Sequence, residues 1–213
     1  MKICVDAGHG GSDPGAVGTA PYRLEEKRVT LEIALTLEAE LADREHGVVM
    51  TRRRDRTVGL VPRARFANRL KADLFVSIHA NAALSAAVEG MEVYHFPGSA
   101  GGRRAATAVL ESMVTAFPGH RNRGLKEANF AVLRETRMPA ILIETEFITS
   151  PRQLVFLSDP EQQEALVEAI ADGIDDLGGR GPRPSSSTPR SAQTTTRSPT
   201  RRPHSPPTGA RGA

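Results

Sequence analysis

The chain has 213 residues, of which 39% are hydrophobic and 25% charged, a composition typical of a soluble globular protein. No stretch approaches the roughly 20 apolar residues that a membrane-spanning helix needs. The single cysteine, Cys4, excludes an internal disulfide framework and a cysteine-rich zinc finger. Aromatic residues make up only 4%, with no Trp, which argues against a module that binds ligands on aromatic platforms.

The net charge of +3 is distributed unevenly. The C-terminal tail (residues 178–213) contains seven Arg and no Lys or acidic residue, so residues 1–177 carry 21 basic and 25 acidic residues. An acidic body argues against specific nucleic-acid binding. The tail is rich in Pro, Ser, Thr and Arg and has almost no apolar surface to bury, so we predict that it is disordered. A solvated linker is the simpler interpretation of the tail, and weak contact with an anionic envelope surface is the alternative.

Apolar segments alternate with helical patterns along residues 1–177. We predict strands at residues 2–7, 48–53, 74–79, 90–96 and 140–147, and helices at about residues 25–45, 62–72, 103–117 and 160–177. The last helix has the clearest signals: Asp159 as N-cap, Pro160 at the first position, Gln162 completing a capping box and Gly178 at its end. This alternation predicts a single α/β domain with a mostly parallel, twisted sheet flanked by helices on both faces.

Three of the predicted strands lead into residues that can bind a metal or move a proton. His9 follows the first strand through a Gly-rich loop, His79 ends the third and Glu144 lies in the last. In open α/β sheets, sites lie beyond the carboxyl ends of parallel strands, so these side chains are expected to converge. Each alone is more simply a hydrogen-bonded polar residue.

The first predicted helix adds a second glutamate to this set. Thr30, Ile33, Leu37 and Leu41 share one face at helical spacing, and one turn earlier this face begins with Glu26. An inward-facing carboxylate without a partner is costly, although acids are also common in first helical turns because they interact with the helix dipole. Two His and one Glu are the right donors for a catalytic Zn²⁺ site, and the common HExxH motif is absent.

Four blocks of the sequence resemble the type-3 family of zinc-dependent N-acetylmuramoyl-L-alanine amidases. They occur in family order across about residues 1–177: VDAGHGGSDPGAVG, LEEKRVTLEIAL, LFVSIHANA and MPAILIETEFITSP. The resemblance implies that His9, Glu26 and His79 bind Zn²⁺ and that Glu144 is the catalytic acid and base. It also implies the reaction, hydrolysis of the amide between the lactyl group of N-acetylmuramic acid and the L-Ala of the peptidoglycan stem peptide.

The resemblance also suggests substrate-binding residues. Asn81 is a candidate hydrogen-bond donor to substrate, or equally an Asx-turn residue. Arg123 and Arg134 are candidates for binding stem-peptide carboxylates, although exposed Arg is usually only solvated. Glu146 is a further candidate substrate residue. It stands where the family has Gly, so it either lies beside Glu144 on the strand and shares its proton, or its side chain reaches solvent beyond the strand end.

The alternative function is a non-catalytic, metal-containing domain that binds peptidoglycan. The intact set of four residues favours the enzyme. The first residues lack the apolar region of a secretory signal, and the segment between His79 and Glu144 is too short for the inhibitory helix of cell-division amidases. We therefore expect a monomeric, endolysin-like enzyme that is made in the cytoplasm and reaches the wall after holin-type release, with an exported bacterial autolysin as the alternative.

Overall fold

The structure is a computed structural model and describes residues 1–179, so nearly all of the tail, with its predicted disorder, lies outside the described residues. In chain order the elements are β1 (Lys2–Ala7), β2 (Val17–Gly18), β3 (Leu24–Glu25), α1 (Glu26–Asp43), β4 (Gly47–Met50), α2 (Leu60–Arg69), β5 (Leu74–Asn81), β6 (Met91–His95), α3 (Ala100–Ala116), β7 (Asn122–Glu127), α4 (Ala131–Arg134), β8 (Ala140–Phe147), α5 (Pro151–Ser158) and α6 (Pro160–Leu177). Over this part of the chain, no helix has the length and apolarity needed to cross a membrane.

The main sheet has six strands in the order β4-β1-β5-β8-β6-β7, and β2 pairs with β3 in a separate hairpin. Neighbouring strands of the main sheet are parallel, except that β6 runs antiparallel to β8. The predicted fold class is confirmed, and the three strands predicted to carry site residues, β1, β5 and β8, are adjacent. Their carboxyl ends therefore meet at one edge of the sheet.

Alternate strand residues face two hydrophobic cores, as the two-residue period of a strand requires. Ile3 and Val5 of β1 belong to the larger core, which α1, α3 and α6 cover, whereas Cys4 between them belongs to the smaller core under α2 and α4. We call these the α1/α3/α6 face and the α2/α4 face of the sheet. Burial on the second face raises the pKa of the Cys4 thiol to about 12, the charge of Asp6 contributing, so this cysteine is a core residue.

Several predicted boundaries were wrong for identifiable reasons. Strand β4 ends at Met50 rather than at residue 53, because the Arg52 side chain turns inward and donates to the carbonyl oxygens of Ala7 and Gly8. Helix α3 begins at Ala100 rather than at residue 103, because the Ser99 hydroxyl caps it by accepting from the Gly102 N–H.

The prediction for the last helix was right in its bounds and wrong in one contact. Asp159 accepts from the N–H of Glu161, and its own N–H donates to the carbonyl of Phe156 rather than to Gln162, so the second half of the capping box does not form. The β2–β3 hairpin, β7, α4 and α5 were not predicted. Strand β7 lies at the sheet edge, where its polar sequence carries no two-residue apolar pattern.

Candidate metal centre and active site

The loop after β1 contains a backbone conformation that is uncommon for residues other than Gly. His9 has a φ of 58°, in the left-handed region. The loop is fixed from the sheet side, since the Gly8 N–H donates to the Ile78 carbonyl at 3.0 Å and Arg63 Nη2 donates to the His9 carbonyl at 2.6 Å. The imidazole is oriented by Asp13, whose Oδ2 lies 2.9 Å from His9 Nδ1. The other ring nitrogen therefore faces the helix α1.

Glu26 brings the two predicted histidines together. Its Oε2 lies 3.1 Å from His9 Nε2 and its Oε1 lies 2.9 Å from His79 Nδ1. Potential ligand atoms of all three residues lie within 4.8 Å of one another. The Glu26 side chain is only 5% exposed, whereas the two imidazoles, at 24% and 17%, open onto the surface. The three side chains form a compact set of two nitrogen donors and one carboxylate, which can hold a divalent metal ion.

The charge state of this cluster is set by a carboxylate, Glu26, that lies between two imidazoles, each of which can carry a positive charge. Burial by itself raises the pKa of Glu26, but hydrogen bonds from His79 and His9 and their charge lower it well below its ordinary value. For His9, burial lowers the pKa, and the carboxylates of Glu26 and Asp13 more than offset this and raise it. The carboxylate is therefore ionised at neutral pH, in the form that binds metal.

Two glycines of the first sequence block make room for the cluster. A Cβ at Gly8 would lie 2.4 Å from His79 Cε1, inside van der Waals contact. A Cβ at Gly15, whose φ is +67°, would lie 2.5 Å from Glu26 Oε2 and 2.7 Å from His9 Cδ2. The Gly-rich sequence of this loop is thus required by the close approach of the three donor side chains.

Glu144 lies beside this cluster, and its environment differs from that of every donor in it. It is the register partner of His79 across β5 and β8 and of Glu92 across β8 and β6. Its Oε2 is buried and has no hydrogen-bond partner among the described residues. Burial raises the pKa of Glu144 well above its ordinary value, the carboxylates of Glu26 and Glu92 add to this, and Lys126 opposes it. Glu144 is therefore a carboxyl group that readily holds a proton.

Glu92 is the centre of a polar cluster that the sequence did not reveal. It is buried, accepting from Asn81 Nδ2 and the Tyr94 hydroxyl at Oε1 (both 2.7 Å) and from Arg123 Nε at 2.7 Å and Lys126 Nζ at Oε2. Burial raises its pKa, but these donors, with Lys126 first, lower it overall. Glu92 therefore stays ionised and presents a fixed negative charge to the neighbouring Glu144.

The structure rejects both predicted positions of Glu146. The strand continues to Phe147, and Glu146 is fully buried rather than exposed to solvent. It does not share a proton with Glu144 either, because its Oε1 lies 2.9 Å from His120 Nδ1 and its Oε2 accepts from the N–H groups of Gly90 (2.6 Å) and Phe147 (3.2 Å). Glu146 is therefore a buried carboxylate whose two oxygens are paired within the fold, which argues against its predicted role as a substrate residue.

A bulge in β8 explains this outcome. The register moves from His79 opposite Glu144 to Asn81 opposite Phe147, so β8 holds one residue more than β5 over this stretch. An extra residue breaks the alternation of side chains between the two faces of a sheet. Glu144 consequently remains on the α2/α4 face with the pocket, while Glu146 turns to the α1/α3/α6 face.

Asn81 and Arg123 lie near Glu144 but already have protein partners in the Glu92 cluster. The Asn81 Oδ1 also accepts from the Ala82 N–H, a local turn contact of the kind predicted as the alternative, and the Arg123 guanidinium lies 4.9 Å from the centre of the Phe147 ring. Arg134, by contrast, bonds to Glu135 and to Asn129 on the surface. Direct roles of Asn81 and Arg123 in binding substrate stay predictions.

A pocket of about 390 Å³ opens beside the metal cluster. His9, His79 and Glu144 lie in its wall, and apolar side chains that include Leu60 and Phe130 form its rim. Of the residues that sequence reasoning missed, Asp13 had a usable signal, since it is an acid four residues after His9 in the same loop. Glu92 had only a weak signal, an acid flanked by apolar residues in a short strand.

Comparisons with known proteins place the chain in one family. The sequence profile of the N-acetylmuramoyl-L-alanine amidase family matches residues 3–176. The chain is 38% identical over 177 residues to the sporulation-specific N-acetylmuramoyl-L-alanine amidase of Bacillus subtilis, covering 82% of this chain and 67% of that protein. It is 35% identical to the probable cell wall amidase LytH of Staphylococcus aureus, covering 81% and 56%. The chain thus spans about two thirds or less of the length of these relatives.

Among solved structures, the amidase AmiC2 of Nostoc punctiforme has 37% identity and a TM-score of 0.79 over 84% of this chain and 98% of that one. The catalytic domain of CwlV, an amidase of Bacillus (Paenibacillus) polymyxa, has 36% identity and the same TM-score and coverage. The family match covers most of the chain, and both structures share its fold. The chain belongs to the N-acetylmuramoyl-L-alanine amidase family.

Proposed function

We propose that this protein hydrolyses the amide bond between N-acetylmuramic acid and L-Ala in peptidoglycan, with Zn²⁺ held by His9, Glu26 and His79 and with Glu144 as acid and base. The observation that carries this proposal is a cluster of three metal donors, two of which line the same pocket as a carboxyl group with an unpartnered oxygen. Family membership supplies the substrate, because the relatives are amidases of this bond by name.

The donor set fits Zn²⁺ on chemical grounds. Catalytic zinc sites use three protein ligands of nitrogen and oxygen and leave a position for water or substrate. Here the partly exposed imidazoles leave the cluster open towards the pocket, and Asp13 orients His9 through its second ring nitrogen, as partners of zinc-bound histidines do. When bound, the ion polarises a carbonyl and lowers the pKa of its water towards neutrality.

Glu144 moves the proton in this proposal. Glu144 lies in the wall of the pocket and its carboxyl group has an oxygen without a competing donor among the described residues, so the carboxylate can accept a proton from a water molecule in the pocket. Its raised pKa lets it keep that proton and then deliver it to the nitrogen of the departing L-Ala. Glu92 supports the first of these steps, because its fixed charge one strand away favours the protonated form of Glu144.

The cellular setting follows from the substrate. Peptidoglycan lies outside the cytoplasmic membrane, so the enzyme must be released or exported to reach it. We propose release at lysis through a holin-type pore, action as a monomer, and at most weak attraction of the Arg-rich tail to the anionic envelope. Lysis of cells that express the chain only when a pore-forming protein is co-expressed supports release, whereas lysis without it indicates export as an autolysin.

The direct test is mass analysis of purified sacculi digested with the full chain. We expect stem peptides with a free N-terminal L-Ala and intact glycan strands, loss of product formation on chelation, and recovery when Zn²⁺ is added back. New reducing sugar ends would indicate a glycosidase and contradict the proposal. Binding to sacculi without any product would instead support the non-catalytic domain.

A further inference from the structure

A second concavity, about 360 Å³ in volume, lies beside the pocket between the segment after β4 and helix α2. Three exposed guanidinium groups surround it, those of Arg56, Arg65 and Arg69, and we call it the basic groove. Within residues 1–179, no carboxylate lines it. It is therefore a strongly positive depression on the surface of an otherwise acidic body.

The charges of the basic groove are not neutralised within the described part of the protein. Arg56 donates to the Thr51 carbonyl at 2.8 Å and Arg69 lies over the Phe66 ring at 5.7 Å, both uncharged partners. By contrast, neighbouring Arg63 is paired with Asp6 in the interior. Exposed Arg side chains held near one another without acids are suited to binding carboxylate or phosphate oxygens.

The basic groove is a neighbour of the metal pocket. Val58 and Arg63 line both cavities, and the backbone carbonyl of His9 is the acceptor of Arg63 Nη2. The basic groove therefore lies within reach of a chain-like substrate whose scissile bond is at the metal cluster.

The charge of the substrate determines which half enters this groove. On the glycan side of the scissile amide, the lactyl carboxyl is consumed in the amide itself, so the N-acetylated sugars are uncharged. On the peptide side, acidic residues that follow L-Ala carry free carboxylates. We propose that the basic groove binds the carboxylates of the stem peptide and so orients peptidoglycan with its peptide towards α2 and its glycan away from it. This inference rests on the proposed amidase function.

The test uses sacculi stripped of wall polymers, before and after carbodiimide amidation of the stem carboxylates. We expect the wild-type protein to release peptide from the untreated sacculi about five- to tenfold faster, because each exposed ion pair contributes a factor of a few. The preference should fall in 0.5 M NaCl, where exposed charges are screened. Arg65→Gln combined with Arg69→Gln should remove most of it by slowing cleavage of untreated sacculi only.

Arg104→Gln is the matched control, since Arg104 is exposed on α3, which covers the opposite face of the sheet. It should keep the full preference. Equal rates on both sacculi, or a preference that survives the double substitution, would overturn the groove assignment and leave the amidase function intact. An effect seen only when phosphate-containing wall polymers are retained would assign the groove to those polymers instead. No cleavage of untreated sacculi at all would refute the proposed function itself.

Discussion

Glu144 and Glu146 are two residues apart on β8, yet they lie in opposite kinds of surroundings. Glu146, on the α1/α3/α6 face, is fully buried. It accepts hydrogen bonds from two backbone N–H groups and lies next to the imidazole of His120. Glu144, on the α2/α4 face, lies at the pocket with a buried oxygen that nothing in the described structure donates to. Glu144 is the less buried of the two residues, and hydrogen-bond satisfaction separates the two carboxylates further.

The difference shows how the fold separates stability from chemistry. A buried carboxylate with its full set of donors contributes to the rigidity of the protein, since removing it leaves those donors without partners. A buried carboxylate without donors destabilises the fold, and it persists where a reaction uses it. The single extra residue of the bulge places one carboxylate of each kind on neighbouring positions of one strand.

The largest expected effect is that of Glu144→Gln on turnover. The amide cannot accept and return a proton, so we expect product release from sacculi to fall about 10²- to 10⁴-fold, the usual contribution of a general acid and base. Bound zinc, measured by elemental analysis, should stay at the wild-type level, because the donors are His9, Glu26 and His79.

The same variant has a second, opposite readout. In the chelator-treated protein, Glu144→Gln should leave the free energy of unfolding unchanged or raise it, because it removes a carboxyl whose pKa is raised in the folded state. Retained turnover would disprove the catalytic role. A large loss of stability would show that Glu144 is structural, like Glu146.

Glu146→Gln is the converse test. An amide at this position cannot accept from all three of its donors at once, so we expect the free energy of unfolding to fall by about 1–3 kcal/mol in urea denaturation. Turnover at low temperature should stay within about threefold of wild type, since the side chain points away from the pocket. A loss of turnover comparable to that of Glu144→Gln, in a protein of unchanged stability, would contradict the separation of the two roles.

The convergence of the candidate side chains was predicted from the sequence, whereas the loop conformation that allows it was not. His79 and Glu144 lie on apolar strands that end at one sheet edge, and Glu26 begins an apolar helical face, so their meeting followed from periodicity and topology. These signals are local. The left-handed backbone of His9 and the close approach of Gly8 to His79 were not predicted, because both depend on contacts between segments about 70 residues apart.

The same reason explains the errors over Glu146 and Glu92. The bulge that turns Glu146 away is a property of the pairing between β5 and β8, and strand register cannot be read from one strand alone. Glu92 became a neighbour of Glu144 only because β6 inserts antiparallel beside β8, which the predicted, mostly parallel sheet did not specify. Local sequence patterns predicted the helices and strands, whereas long-range strand pairing determines which carboxylates lie next to each other.

Asp175 on α6 is a third buried carboxylate to compare with these two, and it lies far from the active site. Its Oδ2 accepts from Arg44 Nη1 at 3.0 Å and its Oδ1 lies 2.8 Å from His46 Nε2, so it belongs with Glu146 as a satisfied group. Burial raises its pKa, but the bonds from His46 and Arg44 outweigh this and lower it. A lowered pKa stabilises the fold above the unfolded value of about 3.9.

Asp175→Asn should therefore have the smallest of these effects, and one that depends on pH in a defined direction. At pH 7 we expect the free energy of unfolding to fall by about 1–2 kcal/mol, since Arg44 keeps Glu40 and Asp172 as partners. As the pH falls below about 4, this carboxylate becomes protonated in the unfolded chain before it does so in the folded protein, so the difference between the two proteins should shrink. Urea denaturation at pH 7, 5 and 3.5 measures this, and turnover at pH 7 should be unchanged. A difference that stays constant down to pH 3.5 would mean that Asp175 stabilises the fold by packing rather than by charge.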